Sequence, residues 1–168
     1  MLISGDSAGG NLSLMLSQWI RDEKLSKPDA VVALSPLTDS TYSAPSYRQN
    51  LLTDTLLGPL FGGLLKVPKW ILAWIFTLEN KVRPSNPVVS PLHGNLSNLP
   101  PTLIQVSQAE MLLDDARRYV NKARSVGSPA RIQVWPGLLH VWQIFHPDLP
   151  EAREAFDRIA EFLQSVES

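Results

Sequence analysis

Three short apolar runs divide the chain and predict buried β-strands. They are Ala-Val-Val-Ala-Leu at residues 30–34, Thr-Leu-Ile-Gln-Val at residues 102–106 and Arg-Ile-Gln-Val-Trp at residues 131–135, and each closely follows a proline. Runs of this length and apolarity are typical of strands that are covered on both faces of a parallel sheet. A fourth strand is expected to end near Leu2 and Ile3, at the start of the chain.

Amphipathic patterns between these runs predict helices at residues 11–23, 114–126 and 150–166. The apolar residues of the first helix, which lie broadly on one side at helical spacing, are Leu12, Leu14, Met15, Trp19 and Ile20. Those on one face of the last helix are Ala155, Phe156, Ile159, Phe162 and Leu163. Alternation of strand and helix predicts an α/β fold in which helices flank a parallel sheet.

Residues 40–87 form an unusually long and apolar connection between two successive strands. The stretch 56–78 is nearly apolar enough to suggest a membrane-spanning helix, but glycine, proline and lysine residues interrupt it, which favours short amphipathic helices. We interpret this segment as a lid-like insertion over the mouth of a site, with Trp70, Trp74 and Phe76 as candidate pocket walls. The alternative, that these helices only pack against the fold and contact no substrate, remains open.

Composition removes several functional classes. The chain has 168 residues, of which 44% are hydrophobic and 18% charged, as expected for one globular domain. A formal net charge of -1 argues against nucleic acid as a partner. There are no cysteines, and the three histidines lack metal-ligand spacing, so we expect neither a metal nor another cofactor. No signal peptide precedes the first strand, and a cytoplasmic location is the expectation.

The motif Gly-Asp-Ser-Ala-Gly at residues 5–9 stands between the first predicted strand and the first predicted helix. A Gly-x-Ser-x-Gly turn in this context is typical of a nucleophile elbow, which exposes a serine hydroxyl above a parallel sheet. The strained turn is expected to leave no room for side chains at Gly5 and Gly9. The alternative interpretation is a glycine-rich turn before an ordinary helix.

A serine nucleophile at Ser7 would need a base and an acid, and both residue types follow in the chain. His140 lies in a loop just after the last predicted strand, whereas His93 and His146 lie in polar loops and are interpreted as solvated. The acids after the second apolar run are Glu110, Asp114 and Asp115. The two aspartates also have a structural explanation as negative charges in the first turn of a helix.

Six motifs in order carry a resemblance to a known family. They are Gly-Asp-Ser-Ala-Gly-Gly-Asn-Leu at residues 5–12, Leu-Ser-Pro-Leu-Thr-Asp at 34–39, Asn-Pro-Val-Val-Ser-Pro-Leu at 86–92, Leu-Pro-Pro-Thr-Leu at 99–103, Glu-Met-Leu-Leu-Asp-Asp at 110–115 and Leu-His at 139–140. With these motifs the chain resembles the hormone-sensitive lipase family of α/β-hydrolases. The resemblance covers nearly all of residues 1–168, but these correspond only to the C-terminal half of such an enzyme, so a partial α/β-hydrolase fold is expected.

The resemblance implies a carboxylic ester hydrolase that uses Ser7, His140 and Glu110 as its catalytic triad. In the family the acid stands four residues before an acidic pair, which favours Glu110 over Asp114. Ala8 would supply one oxyanion-hole N–H. The implied substrates are small esters with short to medium acyl chains.

Other parts of the family pattern are missing. Further oxyanion donors come, in the family, from a His-Gly-Gly-type loop upstream of the elbow, and the 168 residues contain none. Asp6 and Asn11 match the family's elbow and are interpreted as hydrogen-bonding support. The strand before Ser7 would form an exposed sheet edge, which favours association, and a homodimer is a possible assembly. We therefore expect a partial chain with weak activity, or alternatively a non-catalytic module.

Overall fold

The computed structural model of the chain describes residues 1–167, in which four parallel strands form one sheet. The strands are β1 (Leu2–Asp6), β2 (Ala30–Leu34), β3 (Thr102–Ser107) and β4 (Ala130–Trp135), and they are paired in the order β1-β2-β3-β4. The predicted parallel α/β sheet is thus confirmed. β2 and β3 are almost wholly buried, as the apolar runs indicate.

Three long helices cover the two faces of this sheet. They are α1 (Ala8–Asp22), α5 (Leu113–Ser125) and α6 (Pro150–Glu167). Alternate residues of β2 point to opposite sides, since Val31 packs in a core with α1 and α5 while Val32 packs with Phe162 of α6. Burial of both faces of one strand explains why its sequence is continuously apolar.

The predicted apolar faces of α1 and α6 are partly wrong. In α1, Leu14 and Ile20 are buried, but Leu12 and Trp19 are exposed, and small or amide side chains such as Ser13 and Ser17 take the inward positions. Small residues let the helix approach the strands closely. In α6 the exposed member is Phe156, which stacks edge-on against the ring of His146 with centroids 4.9 Å apart.

Between β2 and β3 the insertion forms three short helices: α2 (Ser46–Gln49), α3 (Leu57–Phe61) and α4 (Lys69–Asn80). Its first part packs at the carboxyl end of β3, where Asn50 Nδ2 donates hydrogen bonds to the carbonyls of Gln108 and Glu110 at 2.9 and 2.7 Å. Of the helices in residues 1–167, none combines the length and hydrophobicity needed to cross a membrane.

β1 is an edge strand, as the sequence predicts, because β2 is its one partner within residues 1–167. Next to it, α1 exposes the apolar side chains of Leu12, Leu16 and Trp19. An unpaired strand edge beside an apolar helix face is a surface that tends to associate with other polypeptides.

Candidate active site

Ser7 occupies the tight turn between β1 and α1. Its backbone has φ 51° and ψ -114°, outside the regions that residues with a Cβ favour. The Ser7 N–H donates to the Leu34 carbonyl at 2.8 Å, and the Ser7 carbonyl accepts from Asn11 N–H at 3.0 Å. The turn is therefore fixed both to β2 and to the first turn of α1.

The two glycines of the elbow differ in how closely they are packed. A Cβ on Gly5 would lie 2.4 Å from the Gly9 carbonyl oxygen and 2.8 Å from Ser13 Oγ, so no side chain fits there. A Cβ on Gly9 would meet only Asp6 Oδ1, at 3.7 Å, which is an ordinary contact. The expectation that a side chain has no room is therefore correct for Gly5 and wrong for Gly9. The next glycine, Gly10, is tightly packed, because an added Cβ would lie 3.0 Å from the Cβ of Pro36.

The structure brings Ser7, His140 and Glu110 together in one chain of hydrogen bonds. Ser7 Oγ lies 2.9 Å from His140 Nε2, and His140 Nδ1 lies 2.7 Å from Glu110 Oε2. His140 and Glu110 are buried, and Ser7 is partly exposed at the surface. A hydroxyl, an imidazole and a carboxylate in this order can pass a proton from the serine to the imidazole and stabilise the resulting imidazolium.

Glu110 lies in the loop that follows β3, and its carboxylate is held by residues at the carboxyl ends of β2 and β3. Besides His140 it has two donors, Ser35 Oγ at 2.8 Å and the Ser107 N–H at 2.7 Å, and both bind Oε1. These two serines were not among the predicted site residues. Ser35 directly follows the predicted strand at residues 30–34, so its place at a strand's carboxyl end was the available signal.

The alternative acids point elsewhere. Asp114 Oδ2 accepts a hydrogen bond from Ser46 N–H at 3.1 Å, and its Oδ1 lies near Arg117. Asp115 is fully buried, and its Oδ2 accepts from the N–H groups of Thr38 and Asp39, each at 3.0 Å. Asp115 is therefore more than a negative charge in the first turn of a helix, because its hydrogen bonds connect the residues after β2 to α5.

His93 and His146 lie outside the hydrogen-bond chain of Ser7. His146 is exposed, as expected for a loop residue. His93 is also exposed, as expected, but it is not free of contacts, because its Nε2 lies 3.0 Å from Asp39 Oδ1. His93 thus helps to hold a buried carboxylate.

Asp39 and Asp115 are neighbouring buried carboxylates with opposite pKa shifts. Burial alone would raise the pKa of Asp39, but hydrogen bonds from Thr41, Ser43 and His93 outweigh it and hold that pKa well below its ordinary value. Burial, with the charge of Asp39 as a second cause, raises the pKa of Asp115 from 3.8 to about 7. Asp115 Oδ1 is buried without a hydrogen-bond partner in residues 1–167, which disfavours the ionised form.

The residues assigned to the oxyanion hole and its support lie around the elbow. Ala8 opens α1, and the first N–H groups of a helix have no partner within the helix, so its N–H is free to serve as a donor. Asn11 Nδ2 donates to the carbonyls of Leu37 and Val89 at 2.5 and 3.1 Å, which joins α1 to the segments just before and just after the insertion. Asp6 is exposed.

The candidate pocket walls line a large open cleft that does not include the hydrogen-bond chain. The cleft, of about 740 Å³, runs between α4 and the segments 40–43 and 83–85, and Trp70, Trp74 and Phe76 all line it. Ser7, Glu110 and His140 are not among its walls. Trp70 is 73% and Trp74 62% exposed, so their contact with substrate stays a prediction.

Comparison with known proteins identifies the family. A family model described as the alpha/beta hydrolase fold matches residues 1–144. The chain therefore belongs to the α/β-hydrolase fold family.

Its relatives are named as esterases and related hydrolases. The chain is 36% identical to an acetyl-hydrolase of Streptomyces hygroscopicus, with 98% of the chain and 52% of the relative covered. It is 35% identical to an esterase of Acinetobacter venetianus, with 99% and 52% covered. The chain thus spans about half the length of these relatives.

Solved structures agree with this assignment. An esterase from the bacterial hormone-sensitive lipase family superposes with a TM-score of 0.84 at 36% identity, covering 99% of this chain and 53% of that structure. The predicted resemblance to that family is confirmed.

Proposed function

We propose that the chain carries the nucleophile, base and acid of a carboxylic ester hydrolase that works through an acyl-enzyme. The observation that carries this proposal is the hydrogen-bond chain from Ser7 Oγ through His140 to Glu110, with distances of 2.9 and 2.7 Å. Relatives named as an esterase and as a carboxylesterase/phospholipase support an ester as the substrate class.

In the proposed reaction, His140 Nε2 accepts the Ser7 proton while Oγ attacks the ester carbonyl carbon. Glu110 accepts a hydrogen bond from His140 Nδ1–H and stabilises the imidazolium that forms. The imidazolium then gives its proton to the departing alkoxide as the carbon–oxygen bond breaks, which leaves an acyl-serine and a free alcohol. Water repeats the sequence, with His140 as its base, and releases the acid.

The negative oxygen of each tetrahedral intermediate would be stabilised at the start of α1. The Ala8 N–H stands directly after the nucleophile, and the positive end of the helix dipole lies at the same place. The insertion at residues 40–87 would act as a lid, and its apolar cleft would suit a short to medium acyl chain. Trp70, Trp74 and Phe76 are the proposed walls.

A second candidate is a non-catalytic module that keeps the hydrogen-bond chain but binds without turnover. It is favoured by the cleft of about 740 Å³, whose walls do not include Ser7, Glu110 or His140. Covalent labelling of Ser7 by a fluorophosphonate separates the two, because the reaction needs an activated serine. We expect labelling of the wild-type chain, none in Ser7→Ala, and strong loss in His140→Ala. An unlabelled wild-type chain that remains folded would contradict the esterase proposal.

A further inference from the structure

Ser35 is the first residue after β2 and lies beside the elbow. Asp6 of β1 pairs with Leu34 of β2, so Ser7 and Ser35 leave adjacent parallel strands at the same level. Ser35 is fully buried and has φ 46°, in the left-handed region that residues with a Cβ seldom adopt. Such a conformation at a buried non-glycine residue persists only where the surroundings hold it, and it is concentrated at functional sites.

The Ser35 hydroxyl links the acid to the backbone beside the base. Its Oγ donates to Glu110 Oε1 at 2.8 Å and accepts from the Val141 N–H at a longer 3.4 Å. Val141 directly follows His140 and also has a left-handed backbone, with φ 55°, which is disfavoured for a β-branched residue. The Ser35 hydroxyl therefore contacts both the Glu110 carboxylate and the backbone next to His140. The distance between these two groups sets the distance from the imidazole to the carboxylate.

We propose that Ser35 is a positioning residue that aligns Glu110 with His140; its catalytic consequence rests on the proposed function. A glutamate side chain has three rotatable bonds, one more than aspartate, so its carboxylate can turn away from the imidazole unless both oxygens are fixed. Ser35 Oγ and the Ser107 N–H occupy Oε1, which directs Oε2 to His140 Nδ1 at 2.7 Å. The contact to Val141 N–H limits movement of the histidine loop at the same point.

The competing explanation is that Ser35 only satisfies buried polar groups. Ser128 offers a matched control, because its buried hydroxyl also donates once and accepts once. It donates to the Leu96 carbonyl at 2.6 Å and accepts from the Leu99 N–H at 2.9 Å, near the start of β4 and so at the opposite end of the sheet from Ser7. Replacing either serine by alanine removes one donated and one accepted hydrogen bond, and in Ser35→Ala the Glu110 Oε1 atom keeps the Ser107 N–H as its remaining donor.

The first test measures the rate of Ser7 labelling by a fluorophosphonate in the 168-residue chain. We expect Ser35→Ala to slow labelling by about 10- to 100-fold, as small displacements of catalytic groups do, while Ser128→Ala labels at nearly the wild-type rate. In a Glu110→Gln background, Ser35→Ala should add less than about twofold, because residues that act through one another are not additive. The proposal would be overturned if Ser35→Ala were labelled at the wild-type rate. It would also be overturned if Ser35→Ala slowed labelling as much in the Glu110→Gln background as in the wild-type chain.

The second test observes the His140–Glu110 hydrogen bond itself by proton NMR. The Nδ1–H signal of His140, assigned by its loss in His140→Ala, should move upfield or broaden in Ser35→Ala and stay in place in Ser128→Ala. This signal does not depend on turnover. If the wild-type chain is not labelled, the proposed esterase function fails, and the NMR signal alone decides the role of Ser35. An unchanged signal in Ser35→Ala would overturn that role.

A third variant separates positioning from folding. Ser35→Gly also lacks the hydroxyl, but glycine adopts φ 46° without strain, so it is expected to fold at least as readily as Ser35→Ala. We expect both variants to keep the wild-type circular dichroism spectrum and both to show the slower labelling. Unfolding of both variants, with Ser128→Ala still folded, would assign Ser35 to the structure of the sheet and overturn the proposal.

Discussion

Glu110 approaches His140 with one carboxylate oxygen only, and the other oxygen is bound elsewhere. The Oε2–Nδ1 distance is 2.7 Å, and Oε1 accepts from Ser35 and Ser107. Asp114 instead accepts a hydrogen bond from Ser46 N–H, at the start of α2. Asp115 binds the N–H groups of Thr38 and Asp39, so of the three acids that follow the second apolar run only Glu110 stands where it could orient the imidazole.

This arrangement predicts unequal effects of two isosteric substitutions. Glu110→Gln should slow labelling of Ser7 by about 10³–10⁴-fold, because an amide cannot stabilise the imidazolium and favours the wrong tautomer. Asp114→Asn should keep the rate within about threefold of wild type. The measurement is the fluorophosphonate labelling rate, with the melting temperature of each variant as a check on folding. Equal losses in the two variants would contradict the assignment of the acid.

The elbow glycines provide a second matched pair. Gly5→Ala places a Cβ 2.4 Å from the Gly9 carbonyl oxygen, so the backbone must shift, and we expect a loss of about 1–3 kcal/mol in the free energy of unfolding. Gly9→Ala meets no close atom within residues 1–167 and lies in α1, where alanine is the better helix former by about 1 kcal/mol. It should therefore be neutral or stabilising.

Urea unfolding of both glycine variants tests this difference. A Gly9→Ala variant destabilised as strongly as Gly5→Ala would mean that Gly9 packs against an atom other than Asp6 Oδ1.

The fold was predictable because its strands are buried on both faces. The predicted strand at residues 30–34 coincides with β2, and the strands predicted at residues 102–106 and 131–135 each differ from β3 and β4 by one residue. The beginning of α1 was less predictable. It starts at Ala8 rather than near residue 11, although Gly9 and Gly10 argue against helix in isolation, and Gly10 is needed there for close packing against Pro36.

The candidate site was predictable where chain order carried the information. Ser7, His140 and Glu110 each lie at or beyond the carboxyl end of a strand, and such ends meet at one edge of a parallel sheet. The roles of Ser35 and His93 depend on contacts across 75 and 54 positions of the chain, respectively. The strand before Ser35 indicates that this residue lies near the candidate site, but no local pattern reports its contact with Glu110 or the contact of His93 with Asp39.

The raised pKa of Asp115 predicts that the free energy of unfolding falls as pH rises from about 4 to about 7. Burial, with the charge of Asp39 as a second cause, raises its pKa to about 7 in the folded chain, against an ordinary 3.8 when unfolded. The folded state therefore binds more protons between those values, and the stabilising contribution present at pH 4 is lost as pH approaches 7. Asp39 has a lowered pKa, so its contribution is lost only in acid, below about pH 4.

Unfolding by urea at pH 5 and pH 8 measures this effect. We expect the wild-type chain to be less stable at pH 8 by on the order of 1–3 kcal/mol, and Asp115→Asn to remove most of that difference. Asp114→Asn is the control and should leave the difference unchanged. Greater wild-type stability at pH 8 than at pH 5 would contradict the raised pKa of Asp115.

The edge of β1 and the apolar face of α1 predict self-association. Leu12 and Trp19 are 61% and 53% exposed beside a strand that has no outer partner in residues 1–167. We expect sedimentation velocity to show concentration-dependent dimers or larger species, reduced in a Leu12→Glu and Trp19→Glu double variant. Leu52→Glu is the control, since Leu52 is 92% exposed on the insertion. A wild-type chain that stays monomeric at its highest soluble concentration would remove this expectation.

The 168-residue chain should hydrolyse esters poorly, even though its serine, histidine and glutamate are aligned. Of the oxyanion donors implied by the family resemblance, the sequence supplies the Ala8 N–H and lacks the His-Gly-Gly-type loop. Loss of even one such donor costs about 10²–10³ in turnover, or roughly 3–4 kcal/mol of transition-state stabilisation. An edge position for β1 should also hold the elbow less rigidly than a paired strand would, which adds to the loss.

A chimera tests this expectation directly. The first half of the Acinetobacter venetianus esterase, joined before Leu2, would supply the part of that relative that the chain does not span. With p-nitrophenyl butyrate as substrate, we expect the chimera to turn over at least about 100-fold faster than the chain, because it regains oxyanion donors. Both activities should vanish in Ser7→Ala. Turnover of the chain within tenfold of the chimera would mean that residues 1–168 complete an oxyanion hole with donors other than those of the family.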